Sequence, residues 1–165
     1  MVALNETAGV QDDVSSLADW AGGLRAIEAL TQRFYDKVAD DPALASVFRN
    51  KNPNHAQHVA QFIAEVFGGD RPYSEAGGSH AGMISRHLGR HLTEPQRRHW
   101  MALMLETADE VGLPDDPEFR SALLGYLEWG TRLAVINSRE GAAAPEADLP
   151  MPKWDWGPPG GPYRG

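Results

Sequence analysis

The sequence contains no cysteine, and this absence excludes disulfide bonds, thiolate nucleophiles, iron–sulfur clusters held by cysteine and thiolate-bound metal sites. Imidazole, carboxylate and phenolate groups are therefore the side chains left to bind a transition metal. The six histidines are the strongest candidates, because a neutral imidazole offers a nitrogen lone pair near neutral pH.

The chain also lacks a hydrophobic run long enough to cross a bilayer, which requires about 20 apolar residues in succession. Its first residues, MVALNETAGVQDDV, have neither the basic start nor the apolar core of a secretory signal. We therefore expect a cytoplasmic protein that does not bind membranes.

Basic residues are few: 15 lysines and arginines stand against 23 aspartates and glutamates, which gives a formal net charge of −8. Because proteins bind nucleic acids largely through basic patches that neutralise phosphates, we expect no nucleic-acid partner. A chain of 165 residues suffices for one domain. Such a domain buries roughly two-thirds of the surface of its unfolded chain and can enclose a cofactor.

Apolar residues recur at steps of three or four along four long segments, and this period predicts amphipathic helices. A short helix, LADWA, is expected before them, and another short helix that carries His87 is expected to break at Gly89. Because every long element is helical, we predict an all-α fold. The four long helices begin at or near Leu24, Asn54, Thr93 and Asp116, the last three of which are expected N-caps.

Composition divides the chain into three parts. Residues 1–16 are polar and aperiodic and are expected to form a flexible extension, whereas residues 17–138 hold the helical domain. Residues 139–165 are rich in proline and glycine, which prevent a regular helix or a central strand. We expect this C-terminal extension to be mobile, although Trp154 and Trp156 would also suit docking on the domain or on a partner.

Four of the six histidines lie in residues 80–100, HAGMISRHLGRHLTEPQRRHW. Among them, His87 has apolar neighbours at helical spacing, so its ring faces an apolar surface rather than water. Such a histidine either bonds to a carbonyl inside the core or binds a metal. The residues around it have to decide between these interpretations.

Other positions combine an apolar setting with a polar atom. Tyr35 lies beside the buried stripe of its helix, and Trp100 is near the start of the apolar face of another. His55 opens the apolar face of the helix that begins near Asn54, with His58 one turn away on its flank. Packing at the edge of a core, or solvation in a first helical turn, also explains each of these residues.

In their order and spacing, these residues resemble the truncated haemoglobins, specifically group II, over residues 18–138. The resemblance implies a two-over-two helical sandwich that holds haem b between the second long helix and the short helix of His87. The matching features are the Gly22-Gly23 pair, the segment RFYDKV with Tyr35, the VF pair ending at Phe48, the Gly68-Gly69 helix end, Tyr73, the Arg86-His87 pair, and Trp100 thirteen residues further on.

The resemblance also implies roles for individual residues. His87 would bind the haem iron, and a diatomic gas such as O2, NO or CO would bind on the opposite, distal side. The expected distal residues are Tyr35, His55, Val59 and Trp100. The expected contacts to the porphyrin and its propionates are Phe48, Phe62, Tyr73, Ile84 and Arg86.

Two positions depart from the commoner group II pattern, because Phe48 stands where tyrosine is frequent and His55 where a small residue is frequent. Tyr35, His55 and Trp100 could then all donate to bound dioxygen, each contributing roughly 1–2 kcal/mol, or about tenfold in ligand dissociation. His55 could instead bind the iron itself, so a five- and a six-coordinate resting state are both open. A register shifted by one turn would make His58 the distal histidine.

The function implied by the resemblance is reversible binding of oxygen and other diatomic ligands by a monomer or homodimer. Nitric oxide dioxygenation or peroxide reduction would need a separate reductase, because the sequence has no GxGxxG or P-loop fingerprint. One alternative is a non-haem metal site of His87 and His91, completed by His55, His58 or a carboxylate. Another is a ligand-free helical module that binds partners through its tail tryptophans.

Overall fold

The computed structural model describes residues 13–49 and 52–165, and the regular elements in these ranges are all helices. The predicted all-α fold is therefore confirmed. None of the helices in the described ranges is long and apolar enough to cross a membrane. The seven helices are α1 (Leu17–Ala21), α2 (Leu24–Ala39), α3 (His55–Val66), α4 (Pro72–Glu75), α5 (His80–Ser85), α6 (Glu94–Glu110) and α7 (Pro117–Asn137).

The helix boundaries follow from local capping. Thr93 forms a capping box with Gln96, and Asp116 accepts a bond from the Phe119 N–H at 3.1 Å, so both predicted N-caps are confirmed. Asn54 is the N-cap residue of α3 as predicted, but its side chain makes no capping bond. Gly22 closes α1 with a φ of 110°, a conformation that suits glycine.

The four long helices pack as two pairs. α2 packs on α3, α6 packs on α7, and α2 also contacts α6, which gives the two-over-two arrangement. Between α2 and α3 the buried Thr31 hydroxyl donates to the Ala56 carbonyl at 2.9 Å. Between α2 and α6 the Lys37 ammonium bonds to Glu110 at 2.8 Å and to Glu106 at 3.3 Å. Core packing and these cross-helix bonds fix the frame around the space between the pairs.

The short helix that precedes His87 ends earlier than predicted. α5 stops at Ser85, and His87 lies in the following turn, where its N–H bonds to Ile84, three residues back instead of four. The chain then passes through Gly89 with a φ of 72°. The change from four-residue to three-residue bonds tightens the backbone, so His87 is carried by a turn rather than by a helix.

The C-terminal extension is docked on the domain, and the expectation that it is mobile is wrong. The backbone N–H of Trp154 donates to the Val66 carbonyl at 2.8 Å. The Trp156 ring is buried and its indole N–H donates to the Ser15 carbonyl at 2.8 Å. Proline and glycine prevent a helix here, but they do not prevent Trp156 from being buried or the partly buried Trp154 from packing on the core, and these contacts outweigh the polar composition.

The predicted N-terminal extension lies largely outside the described residues, since residues 1–12 are not described. Its last part is fixed to the domain. The Ser16 hydroxyl accepts the Asp19 N–H at 3.1 Å and caps α1, and Ser15 holds Trp156 as described above. Residues 15 and 16 therefore belong to the folded domain.

Candidate functional site

The space between the two helix pairs is a cavity of about 480 Å³, within the usual size range of small-molecule and cofactor sites. Most of its wall is apolar, with contributions from α2, α3, α5, α6 and α7 and from the turns after α2 and α5. A few polar side chains interrupt this surface, as expected of a ligand site rather than of a packing defect.

The cavity brings together nine of the ten residues that the sequence singled out. Tyr73 is the exception: it is buried behind Phe62, with ring centroids 5.1 Å apart, rather than in the wall. The nine in the wall are Tyr35, Phe48, His55, Val59, Phe62, Ile84, Arg86, His87 and Trp100.

The register of α3 decides between its two histidines. His55 lines the cavity, whereas His58 is absent from the wall. The Nδ1 atom of His58 is buried and has no hydrogen-bond partner within the part of the chain that the structure describes. His55 is therefore the histidine that can meet a ligand in the cavity.

His87 presents the form of imidazole that a metal binds. Its Nδ1–H donates to the Met83 carbonyl at 2.9 Å, which leaves the lone pair on Nε2 for a ligand. Burial lowers the pKa of His87 below its ordinary value, and the nearby Arg90 and Arg86 charges act in the same direction. The ring is thus neutral near pH 7, and the carbonyl fixes its tautomer.

A group of aromatic rings forms another part of the wall. The Tyr35 ring lies edge-on to His55 at 4.7 Å and to Phe48 at 5.3 Å between centroids. Trp100 packs on Phe34 at 5.1 Å. Burial raises the pKa of the Tyr35 hydroxyl, so this group keeps its proton and stays a donor at neutral pH.

Two arginines add positive charge at the exposed rim of the cavity. Arg86 and Arg90 both line it, and Arg90 is held by a bond from its Nε to the Arg86 carbonyl at 2.6 Å. Guanidinium groups in this position favour a ligand that carries carboxylates. Arg90 was missed by the sequence because Gly89 precedes it and the apolar pattern ends at Leu88.

The wall contributed by α7 was also missed. Trp129, Leu133 and Ala134 line the cavity, although no residue of α7 was among the expected site residues. Arg97 of α6 is a further unexpected member: it is buried and bonds to Glu94 at 2.7 Å and to Glu128 at 3.2 Å. A buried arginine has no sequence signature, since its two carboxylate partners come from different helices.

The non-haem alternative finds no support. Across the described ranges, no three histidine, aspartate or glutamate side chains are grouped so as to hold a metal ion. His91 is exposed, has a φ of 51°, and donates its backbone N–H to the Ser138 carbonyl at 3.0 Å. A pair of His87 and His91 therefore lacks the further ligands that a zinc or manganese site needs.

The same residues fit a haem group well. The neutral imidazole of His87 with its available Nε2, the broad apolar walls and the cationic side chains at the rim match an iron atom, a flat hydrophobic ring and its carboxylates respectively. A two-over-two helical fold with such a cavity defines a haem-binding globin of the truncated type.

Comparison with known proteins agrees. The sequence model described as bacterial-like globin matches residues 16–128, more than half of the chain, and the chain belongs to this family. The group 2 truncated hemoglobin YjbI of Bacillus subtilis strain 168 is 32% identical over 118 residues, which cover 72% of this chain and 86% of the relative.

Solved structures support the same assignment. The group II truncated hemoglobin of Bacillus anthracis superposes with a TM-score of 0.66 at 26% identity, covering 73% of this chain and 91% of the other. The truncated oxygen-avid haemoglobin of Bacillus subtilis gives a TM-score of 0.64 at 29% identity, covering 73% and 99%. The C-terminal extension lies beyond the part of the chain that the family model matches.

Proposed function

We propose that this globin binds haem b through Nε2 of His87 and reversibly binds dioxygen and other diatomic gases beside Tyr35, His55 and Trp100. The observation that carries the proposal is that one cavity contains both an imidazole with its Nδ1–H on a carbonyl and a separate group of polar aromatic side chains. When bound, the haem supplies an iron coordination position for the gas.

The surrounding residues have distinct tasks in this proposal. The Met83 carbonyl orients His87 and makes its Nε2 more basic. Val59, Phe62 and Ile84 present apolar surface that would keep water from the porphyrin ring of the haem. Arg86 would pair with a propionate, and Arg90 beside it is a second candidate. Tyr73, behind Phe62, would support the wall.

The distal donors favour slow release of oxygen. Tyr35, His55 and Trp100 would lie beside the bound gas, and each N–H or O–H group among them that donates to dioxygen would slow its dissociation by about tenfold. One relative, the haemoglobin of Bacillus subtilis, is described as oxygen-avid. We propose that Tyr35, His55 and Trp100 give this chain a similar property.

The proposal also includes a catalytic activity, either nitric oxide dioxygenation or peroxide reduction. Nitric oxide dioxygenation would convert one dioxygen and one nitric oxide to one nitrate and would consume one electron per cycle. Peroxide reduction needs electrons in the same way. We propose that a separate reductase in the cytoplasm supplies them to a monomeric or homodimeric globin.

The test is to reduce the protein, expose it to air and then mix it with one equivalent of nitric oxide. We expect the reduced protein to give an oxygenated spectrum that carbon monoxide replaces, and extraction into alkaline pyridine to identify haem b. Mixing with nitric oxide should then yield one nitrate per haem and ferric protein. An oxygenated form that survives nitric oxide unchanged would remove the dioxygenase activity, and the lack of any oxygenated form would refute oxygen binding.

A further inference from the structure

The end of α7 and the C-terminal extension that follows it contact the two ends of the segment that carries His87. We call residues 138–154 the strap, which begins at Ser138, the C-cap of α7, and we call residues 80–92 the proximal segment. The strap runs back along α7, because Trp154 packs on Tyr126, and just beyond the strap Trp156 packs on Trp20 beside the α7 N-cap Asp116. The strap lies beyond the family match, which ends at residue 128.

The first contact is at the C-terminal end of the proximal segment. Ser138, fully buried, accepts the His91 N–H on its carbonyl at 3.0 Å and the Leu92 N–H on its hydroxyl at 2.9 Å. His91 has a φ of 51°, a conformation that is uncommon for a residue other than glycine. The two bonds hold the chain in this conformation four residues after His87.

The second contact is at the N-terminal end. Nδ1 of His80, the first residue of α5, donates to the Pro150 carbonyl at 3.3 Å. The His80 ring lies 6.3 Å from Trp129, and Trp129 lies 5.8 Å from Trp154, so the strap also backs His80 through a stack of rings. Both His80 and Trp129 line the cavity.

The proximal segment needs such support. α5 has only six residues, and a helix this short is not stable by itself. His87 follows it in a turn whose bonds are local. Its position relative to the cavity therefore depends on what holds the two ends of the segment, and the strap touches both.

We propose that the strap is a positioning element for His87: it fixes residues 80 and 91–92 and thereby sets the orientation of the imidazole toward the haem iron. This inference rests on the proposed function, because it assumes that His87 binds haem. The contacts described for the strap are with α7, with Val66 at the end of α3 and with the proximal segment, so its effect should be largest on the His87 side.

Two matched substitutions test the proposal. Trp154→Ala removes the ring behind Trp129 and His80, whereas Trp156→Ala removes a tail tryptophan that contacts Ser15 and Trp20 instead. We expect Trp154→Ala to release haem to excess apomyoglobin about tenfold faster, the range seen when groups that orient a metal ligand are removed. The Trp154→Ala substitution should also shift or broaden the iron–histidine stretching band, recorded just after photodissociation of carbon monoxide. Trp156→Ala should leave both within about twofold of the parent protein.

Two further variants keep the test decisive. Trp154→Phe retains a ring and should restore the parent rate of haem release and the parent stretching band. Ser138→Ala removes the bond to Leu92 and should repeat the effect of Trp154→Ala, so the test does not depend on whether Trp154→Ala folds well. Equal effects of Trp154→Ala and Trp156→Ala, or an unchanged stretching band in both Trp154→Ala and Ser138→Ala, would overturn the proposal. Failure of the unmodified protein to bind haem would instead refute the proposed function.

Discussion

Replacing His87 by glycine is expected to weaken haem binding by at least about a hundredfold, and free imidazole in the buffer should restore it. The reason is that Nε2 of His87 is the nitrogen we assign to the iron, while its Nδ1 is committed to the Met83 carbonyl. A glycine leaves a hole in the cavity wall that imidazole can fill. The measurement is a haemin titration followed at the Soret band, with and without imidazole.

Two other histidines of the same stretch provide the controls. His91 is exposed and contacts Ser138 only through its backbone, and His99 bonds to Asp41 at 2.6 Å, away from the cavity wall. His91→Ala and His99→Ala should therefore retain haem as the parent does. Loss of haem in His91→Ala, with retention in the glycine variant of His87, would mean that the proximal ligand is wrongly assigned.

Replacing Tyr35 by phenylalanine is expected to raise the rate of oxygen dissociation about tenfold, because the ring stays and a donor worth roughly 1–2 kcal/mol is lost. Tyr35 is buried and its ring contacts both His55 and Phe48, so the cavity shape should change little. The rate is measured by mixing the oxygenated protein with carbon monoxide in a stopped-flow instrument. Trp100→Phe and His55→Leu, measured alongside, apportion the effect among the three donors.

The pH dependence of the oxygen dissociation rate gives a second test of the role of Tyr35. Burial raises the pKa of its hydroxyl above the ordinary value of about 10. The protonated form, which donates, therefore persists through neutral and mildly alkaline pH, and the dissociation rate should show no step from this group below about pH 10. An unchanged rate in Tyr35→Phe would contradict the assignment and point to Trp100 or His55 as the donor.

Much of the fold follows from the sequence because long amphipathic helices leave a periodic signal. The apolar period predicted the four long helices, and Thr93 and Asp116 marked the starts of the last two. Their two-over-two packing was implied only by the resemblance to truncated haemoglobins. The end of α5 was harder to predict. Whether the backbone continues a helix to His87 or tightens into a turn depends on contacts beyond the local sequence.

The candidate site was predictable where a residue type and its spacing are both unusual. His87 and Trp100 stood out in this way, and both line the cavity. The choice between His55 and His58 required the structure, because both lie at the start of one helix and only its rotation against α2 separates them. Arg97 and the α7 wall could not be seen, since their roles arise from tertiary packing.

The C-terminal extension shows that the composition of a segment can mislead a prediction from sequence. Its composition is typical of a mobile tail, and mobility was therefore expected in preference to docking. Two indole rings are enough to reverse the balance, because Trp156 buries most of its surface and Trp154 packs on Tyr126 and Trp129. Composition averaged over a segment misses such a pair of anchors.

The most direct test of a haem on His87 is the absorption spectrum of the purified protein, taken ferric, then reduced with dithionite, then with carbon monoxide. We expect a Soret band that moves, on addition of carbon monoxide, to the position of a ferrous haem bound by histidine, and that is lost in His87→Gly. Sharp visible bands in the reduced form before carbon monoxide would show that His55 or another distal side chain already binds the iron. A protein that develops no Soret band even after haemin is added would contradict the assignment of this cavity to haem.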